Sequence, residues 1–412
     1  MKREDFGSAV EGMEWADRYV GLIHLRLLLP AAAAVLFFIA WNRGVALLYG
    51  AFWLLASLYA VAWLYPRLGL RTIDIERAVP ASAHEGDTIE IRYRVHNRSF
   101  LRRYLVEVWD RLPFARDEQM VLLPRVGRRL EYTLPVVCEL RGVHTPGDIG
   151  IRSGFPLGID TAAAMVRTQT PPILVYPKPE PVTRLFDGAD LSSRISSDFY
   201  IERAGGHEEF MAVREYRRGD SPRYIHWPTS ARKMELIVRE FHENSARVLH
   251  IVLDLHRAFD IGEGRDSALE YSVKIAASLG CEALSRGWRV SLYGVGNRAL
   301  ELKDLTGRKE VMRLLEALAY VRCDGDAPYA RVVEHAITGG MHGGMLVLFE
   351  RDNAPLHAAA FHRRAFFVQR YSFVHETFKM GATPSAQPEI QRTAHEIRFR
   401  VRKGVRWTEL FA

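Results

Sequence analysis

The sequence predicts a multi-domain membrane protein made of a two-helix transmembrane hairpin, an antiparallel β-sandwich and a doubly wound α/β domain. Three observations predict it. Two apolar runs of span length lie near the start, at 22–40 and 45–65. Directly after them the apolar period falls to two. Beyond about residue 247, short apolar runs alternate with stretches of helical period. The expected boundaries are 1–70 for the N-terminal segment and hairpin, 71–180 for the sandwich, 181–209 for a linker and 210–412 for the α/β domain.

The hairpin follows from length and charge. A helix needs about 20 mostly apolar residues to cross the hydrocarbon core. The first run reads LIHLRLLLPAAAAVLFFIA and the second VALLYGAFWLLASLYAVAWLY. The second holds no charge, and the first has His24 and Arg26 near its beginning, where a long side chain snorkels to the interface. Only Trp41-Asn42-Arg43-Gly44 separates the runs, so the helices must be antiparallel. Trp41, Trp63 and Tyr65 sit near the run ends, where aromatic belts form. A signal peptide would be one shorter stretch with a small-residue cleavage site. Lys2, Arg3, Arg18 and Arg26 precede or open the first run, and Arg67, Arg71 and Arg77 follow the second, whereas the connecting loop has Arg43 alone. Cations resist translocation, which places both ends in the cytoplasm. The expectation is a multi-pass protein of the cell inner (cytoplasmic) membrane with cytoplasmic soluble domains and the lipid bilayer as its first partner.

Composition agrees with a large folded body. The chain has 412 residues, 48% hydrophobic and 25% charged, enough apolar material for the cores of two or three domains. A net charge of +7 favours anionic headgroups. The cations are spread along the chain without a nucleic-acid motif, so no nucleic acid partner is expected. Cys138, Cys281 and Cys323 form no CxxC pair, which argues against a disulfide framework and fits a reducing compartment.

In the sandwich region, residues 88–95 and 104–109 alternate apolar and polar side chains, so one face packs and the other is wet. His84-Glu85-Gly86-Asp87, His96-Asn97-Arg98-Ser99 and Pro146-Gly147-Asp148 read as turns. Arg141-Gly142 and Gly154-Phe155-Pro156-Leu157-Gly158 also read as turn chemistry. A strand at 173–176 followed by Pro-Lys-Pro closes the domain. The linker is polar and carries Ser192, Ser193, Ser196, Ser197, Gly205 and Gly206.

The densest motif spans 210–232. Arg218-Gly219-Asp220 reads as a turn, and Asp220 or Ser221 can cap a helix with Pro222 at its first position. That spacing would put Arg223, His226, Trp227 and Ser230 on one side, before a strand at 236–241. A hydrolase triad of His226, Ser230 and a distant carboxylate is one reading, but Ser230 lacks the Gly-x-Ser-x-Gly elbow. An Arg-rich surface for phosphate or carboxylate is another. The third is an internal brace in which Arg217, Arg223 and Arg232 pair with local acids while Trp227 covers a core, and the fourth is a docking surface. No catalytic residue, cofactor or metal is assigned.

In the α/β region the run 248–253 ends at Asp254, 266–286 has a helical stripe, and strands are expected at 288–295, 344–349 and 364–369, with helices at 308–320 and 329–337. Strands alternating with helices imply a parallel sheet, and such sheets bind ligands beyond the carboxyl ends of their strands. That edge carries Asp254, His256, Glu350 and Asp352.

Taken together, the two apolar runs, the Gly-Phe-Pro-Leu-Gly element and the segment from Tyr216 through Gly219, Asp220, Arg223, His226, Trp227, Ser230 and Arg232 resemble the DUF58 family. The resemblance spans nearly the whole chain. It implies a C-terminal domain similar to von Willebrand factor A domains. It also implies work beside a MoxR-type AAA+ ATPase and a transglutaminase-like membrane protein. An adhesion-type metal site in such a domain needs Asp-x-Ser-x-Ser, a Thr on a second loop and an Asp on a third. Here the first element reads Asp254-Leu255-His256-Arg257-Ala258, both serines are missing, and the third loop offers Glu350 or Asp352, so the site is expected to be degenerate. The expected role is a membrane-anchored protein-interaction scaffold, not an enzyme. The alternatives are an enzyme or anionic-ligand sensor using the Arg/His/Trp motif at 216–232, and a component of an envelope or polysaccharide-export assembly.

Overall fold

The computed structural model describes residues 20–182, 209–216, 225–242, 247–341, 344–352, 367–379, 389–393, 396–405 and 407–411. The chain divides into two units, Met1–Glu139 with Val143–Val175, and Leu140–Gly142 with Tyr176–Ala412.

The first unit opens with two helices, α1 (Val20–Arg43) and α2 (Ala46–Leu70). Gly44 makes the reversal possible. It sits at φ +65°, and its N–H donates to the Ala40 carbonyl at 2.8 Å, satisfying an orphan acceptor at the end of α1. The helices meet through aromatic packing, with Phe37 and Phe52 ring centroids 4.9 Å apart. Their remaining surface is apolar and open: Phe38 is 71% exposed and Leu47 81%. Both helices are long and apolar enough to cross a membrane. α2 runs past the expected end at residue 65, because Leu70 is anchored in the β-strand core.

Strands β1 (Ile73–Ala78), β2 (Ser82–His84), β3 (Thr88–Asn97), β4 (Arg103–Asp110), β5 (Gln119–Val126), β6 (Arg129–Val137), β7 (Gly142–His144), β8 (Ile149–Ser153), β9 (Ala162–Val166) and β10 (Ile173–Tyr176) follow. They form an antiparallel sheet β1-β3-β6, an antiparallel sheet β5-β4-β8-β9 and a small sheet β2-β10-β7. The alternation in β3 becomes burial of Ile89, Ile91, Tyr93 and Val95. These join Val106, Val108, Ile149 and Ile151 from the four-stranded sheet in one cluster. Inside it, the buried Arg77 guanidinium and the Tyr93 hydroxyl both donate to the Asp110 carboxylate. Burial beside that carboxylate pushes the Tyr93 hydroxyl far above its ordinary pKa.

In the second unit, β11 (Glu209–Glu215) pairs antiparallel with β12 (Ile237–His242), and α3 (Trp227–Lys233) lies between them in sequence. Then come β13 (Val248–Leu253), α4 (Ala268–Ser285), β14 (Arg289–Val295), β15 (Ala299–Thr306), α5 (Val311–Tyr320), α6 (Tyr329–Thr338), β16 (Met345–Arg351), β17 (Phe367–Phe373), β18 (Glu389–Arg392), β19 (Glu396–Val401) and α7 (Trp407–Leu410). One mixed sheet has the order β15-β14-β13-β16-β17-β19-β18. Its five central strands are parallel, and β15 and β18 close the edges antiparallel. Leu249, Ile251 and Leu253 face the cluster that holds α4 and α5, whereas Val252, Leu346 and Leu348 face the cluster that holds α6. Helices therefore cover both faces, which is why β13, β16 and β17 are buried almost without alternation.

Several boundaries moved. The helix expected at 308–320 begins with a 3-10 turn and becomes α-helical at Val311. The strand expected at 364–369 is β17. Strands β15, β18 and β19 were not anticipated. Most of the linker expected at 181–209 lies outside the described residues.

Candidate functional site

The motif is built on the pair β11–β12. Ile225 bridges Val238 in extended conformation, and the His226 N–H donates to the Ile237 carbonyl at 2.7 Å. This corrects the single helical face expected for Arg223, His226, Trp227 and Ser230, because the helix begins only at Trp227. His226 is its N-cap: Nδ1 accepts the Thr229 N–H at 3.3 Å and lies 2.7 Å from Thr229 Oγ1. Pro228 stands in the first turn, where its missing N–H costs no helical bond. Gly219, Asp220 and Arg223 lie outside the described residues.

Ser230 is buried and faces β12. Its Oγ accepts the Ile237 N–H at 2.9 Å and donates to the Ile237 carbonyl at 3.3 Å. The hydroxyl thus stitches α3 to the strand, the His226 ring engages Thr229, and the Ser230 N–H donates to the His226 carbonyl at 3.0 Å. Tyr216 is half-buried, and its N–H donates to the Leu236 carbonyl at 2.8 Å. Arg232 is exposed. Outward the motif presents three large apolar side chains, Trp227 at 65% exposed, Leu236 at 47% and Met234 at 91%, among the exposed charged residues Arg232, Lys233 and Glu235. Met234 also adopts φ +56° at the helix C-cap, a conformation that favours glycine.

The carboxyl ends of the parallel strands hold the second set of residues. Asp254 is buried directly after β13, and its Oδ1 accepts the His256 N–H at 3.0 Å. Burial pushes its carboxyl up to about 6, against the opposing pull of that hydrogen bond and of Arg351. His256 forms a bridge with Gly325 and accepts the Ala258 N–H at Nδ1. Arg257 extends to Asp326 at 3.0 Å. Glu350 is 1% exposed and surrounded by donors: Arg398 at 2.7 Å, Arg370 at 3.4 Å and Ser372 Oγ at 2.7 Å. Asp352 receives Arg400 at 2.6 Å. The carboxylates of β16 and its following turn are therefore neutralised by arginines from β17 and β19. The sequence reading missed those arginines because the register of strands still unassigned decides what sits beside Glu350.

The first unit holds a third group that was read only as turn chemistry. Phe155, in the Gly-Phe-Pro-Leu-Gly element, packs against Tyr65 and Tyr104 with centroids 5.6 and 5.1 Å away. Five residues after Phe155, Asp160 is 4% exposed and receives Arg26 of α1 and Arg67 of α2, the latter at 2.6 Å. The Thr161 N–H also donates to Asp160, at 2.9 Å. Beside them the Arg103 guanidinium lies over the Tyr65 ring, 5.3 Å from its centroid. Nothing in the sequence pointed to Arg103, which lies outside the basic flank Arg67, Arg71 and Arg77 of the second apolar run.

Among the described residues there is no group of three or more His, Cys, Asp or Glu side chains placed to hold a metal ion.

Residues 212–337 match the family model described as protein of unknown function DUF58. Over 306 residues the chain is 25% identical to the uncharacterized protein YeaD of Bacillus subtilis (strain 168), covering 71% of this chain and 72% of that one. Among solved structures, the CARDB domain of the PF1109 protein from Pyrococcus furiosus is 12% identical and covers 23% of this chain and 91% of that one, at a TM-score of 0.16. A GH20 exo β-N-acetylglucosaminidase from Vibrio harveyi is 7% identical and covers 81% of this chain and 35% of that one, at a TM-score of 0.19. Likeness this slight carries no argument.

Proposed function

We propose that this protein is a membrane-anchored scaffold whose α/β unit, of von Willebrand A type, docks a MoxR-type AAA+ ATPase at the cytoplasmic face of the inner membrane. The carrying observation is the apolar surface of α1 and α2, with Phe38, Leu47 and Trp53 each more than 60% exposed. Water would penalise that surface at about 25 cal/mol per Å², and lipid removes the penalty. The flanking arginines support cytoplasmic ends.

Docking rather than catalysis is favoured by the motif. Ser230 spends its hydroxyl on backbone groups of β12, and His226 caps a helix, so neither is poised as nucleophile or base. Trp227, Met234 and Leu236 are exposed large apolar side chains within one short segment, of the kind that proteins bury in partners. The von Willebrand A reading is supported by parallel central strands with helices on both faces. The degenerate adhesion site is supported by arginines pairing with Glu350 and Asp352. The ATPase partner is the expectation that the sequence resemblance to the DUF58 family implies.

The test is reconstitution. The full-length chain in phosphatidylcholine vesicles is expected to float with lipid and to resist carbonate extraction. A MoxR-type AAA+ ATPase from the same cells is expected to bind it, and the double change Trp227→Ala with Met234→Glu is expected to weaken that binding at least about tenfold. Undiminished ATPase binding by a folded double variant overturns the docking surface. A wild-type chain that stays dissolved without lipid or detergent overturns the anchor.

A further inference from the structure

We infer that Arg103 is the centre of a binding site for a phosphate group, supplied by a phospholipid headgroup at the point where α2 leaves the membrane; this rests on the anchoring reading above. Arg103 is 7% exposed, and its Nε is sealed from water with no hydrogen-bond partner. Among the described residues no carboxylate pairs with it. Its recorded side-chain contacts are the face of Tyr65 and the backbone of Gly69, where even a Cβ would stand 3.3 Å from a guanidinium nitrogen. Burial leaves Nε without an acceptor, and a guanidinium buried to this extent is stabilised by an anion beside it.

The neighbourhood says what that charge is. Asp160, the buried carboxylate at this end of the hairpin among the described residues, is already shared by Arg26 and Arg67, one negative charge against two positive. Arg71 caps the end of α2 and is exposed, as is Arg102, whose carbonyl accepts the Tyr65 hydroxyl. The balance here is positive, at the end of an apolar helix and beside an aromatic cluster of Tyr65, Tyr104 and Phe155. That combination matches the headgroup layer of a bilayer, where phosphates lie level with aromatic belts. A guanidinium fork also suits phosphate oxygens better than any other common anion except a carboxylate. The cleft bounded by Tyr65, Pro66, Gly69, Arg103, Tyr104 and Ser153 encloses only ≈ 10 Å³. It therefore admits one oxygen, with the rest of the headgroup held outside in the interfacial layer.

The experiment uses the full-length chain, delipidated in detergent, with phosphatidylglycerol added back and binding read by native mass spectrometry. Wild type is expected to retain phosphatidylglycerol in clear preference to diacylglycerol, which lacks the phosphate. Arg103→Met is expected to lose that retention about tenfold, and Arg103→Lys to lose less, with thermal melts showing both folded. Inorganic phosphate is then titrated in. Failure to displace the lipid assigns the headgroup as the source, whereas displacement at millimolar concentration assigns free phosphate to the same Arg103 site. Equal retention by wild type and a folded Arg103→Met overturns the proposal, leaving a single buried water as the partner of Nε. If both variants fail to fold, equal wild-type retention of phosphatidylglycerol and diacylglycerol overturns it instead. Flotation with phosphatidylcholine vesicles reads out the anchor separately, so loss of the anchor and loss of the phosphate site are distinguishable.

Discussion

Asp254 shows how a single buried carboxyl couples this molecule to pH. Its folded-state pKa of about 6 lies above the ordinary carboxylate value, so the folded protein holds the proton more tightly than the unfolded chain. Below the unfolded value both states are protonated and burial adds no electrostatic penalty. As pH rises from about 4 to about 6 the unfolded state ionises first, and stability falls by about 3 kcal/mol, staying low above that window. Asp254→Asn is therefore expected to gain about 3 kcal/mol on wild type between pH 4 and pH 7.5, measured by urea unfolding at each pH; parallel curves for the two proteins would refute it. Ser230 gives a second test. Ser230→Ala leaves the Ile237 N–H buried without its acceptor and is expected to cost about 1–3 kcal/mol, read from the same unfolding curves. The sequence placed Ser230 on a short helix and Asp254, Glu350 and Asp352 at the carboxyl ends of parallel strands, but it put His226 inside the helix that His226 in fact caps. It could not tell that Ser230 turns inward, because one buried serine and one exposed serine look alike until the facing strand is known.

Element boundaries were most legible where periodicity was unbroken. The apolar run at 22–40 falls inside α1, the run at 45–65 falls inside α2 but for its N-cap Val45, and the alternation at 88–95 falls inside β3. Legibility failed where a partner from elsewhere sets the limit. Helix α2 continues to Leu70 because that side chain is buried among strands, and β18 shows no alternation because all four of its residues are exposed. Within the four-stranded sheet, Gly150 pairs across from Trp109 and leaves room for its ring: a Cβ there would lie 2.0 Å from the indole. Gly150→Ala is expected to destabilise the unit by about 1–3 kcal/mol and to shift the tryptophan emission. The joint between hairpin and strands is held by Asp160. Removing its charge in Asp160→Ala strands Arg26 and Arg67, which are both about a third exposed, so the expected cost is a screened 1–2 kcal/mol, on the order of half that of a fully buried pair. The measurement is protease cleavage near residues 154–161 in vesicles, expected to quicken in the variant.

For the molecule as a whole, the order of hairpin, antiparallel sheets and mixed α/β sheet was readable because each part has its own period. The partition of the chain was not. Arg141-Gly142 reads in the sequence as turn chemistry of the β-rich region, yet Leu140–Gly142 belongs to the second unit. There Arg141 Nη1 donates to the Leu318 carbonyl at 2.8 Å and to the Val321 carbonyl at 3.2 Å, while Nε lies 2.9 Å from the Glu270 carboxylate. It thus caps the last turn of α5 with a positive charge where the helix dipole is negative. The covalent path accordingly crosses between the two units three times rather than once. A fragment cut cleanly after Val175 would carry every strand of the mixed sheet and still be short of the cation that finishes α5. Expression designs for the second unit have to begin upstream of Leu140, or supply that missing finger in trans.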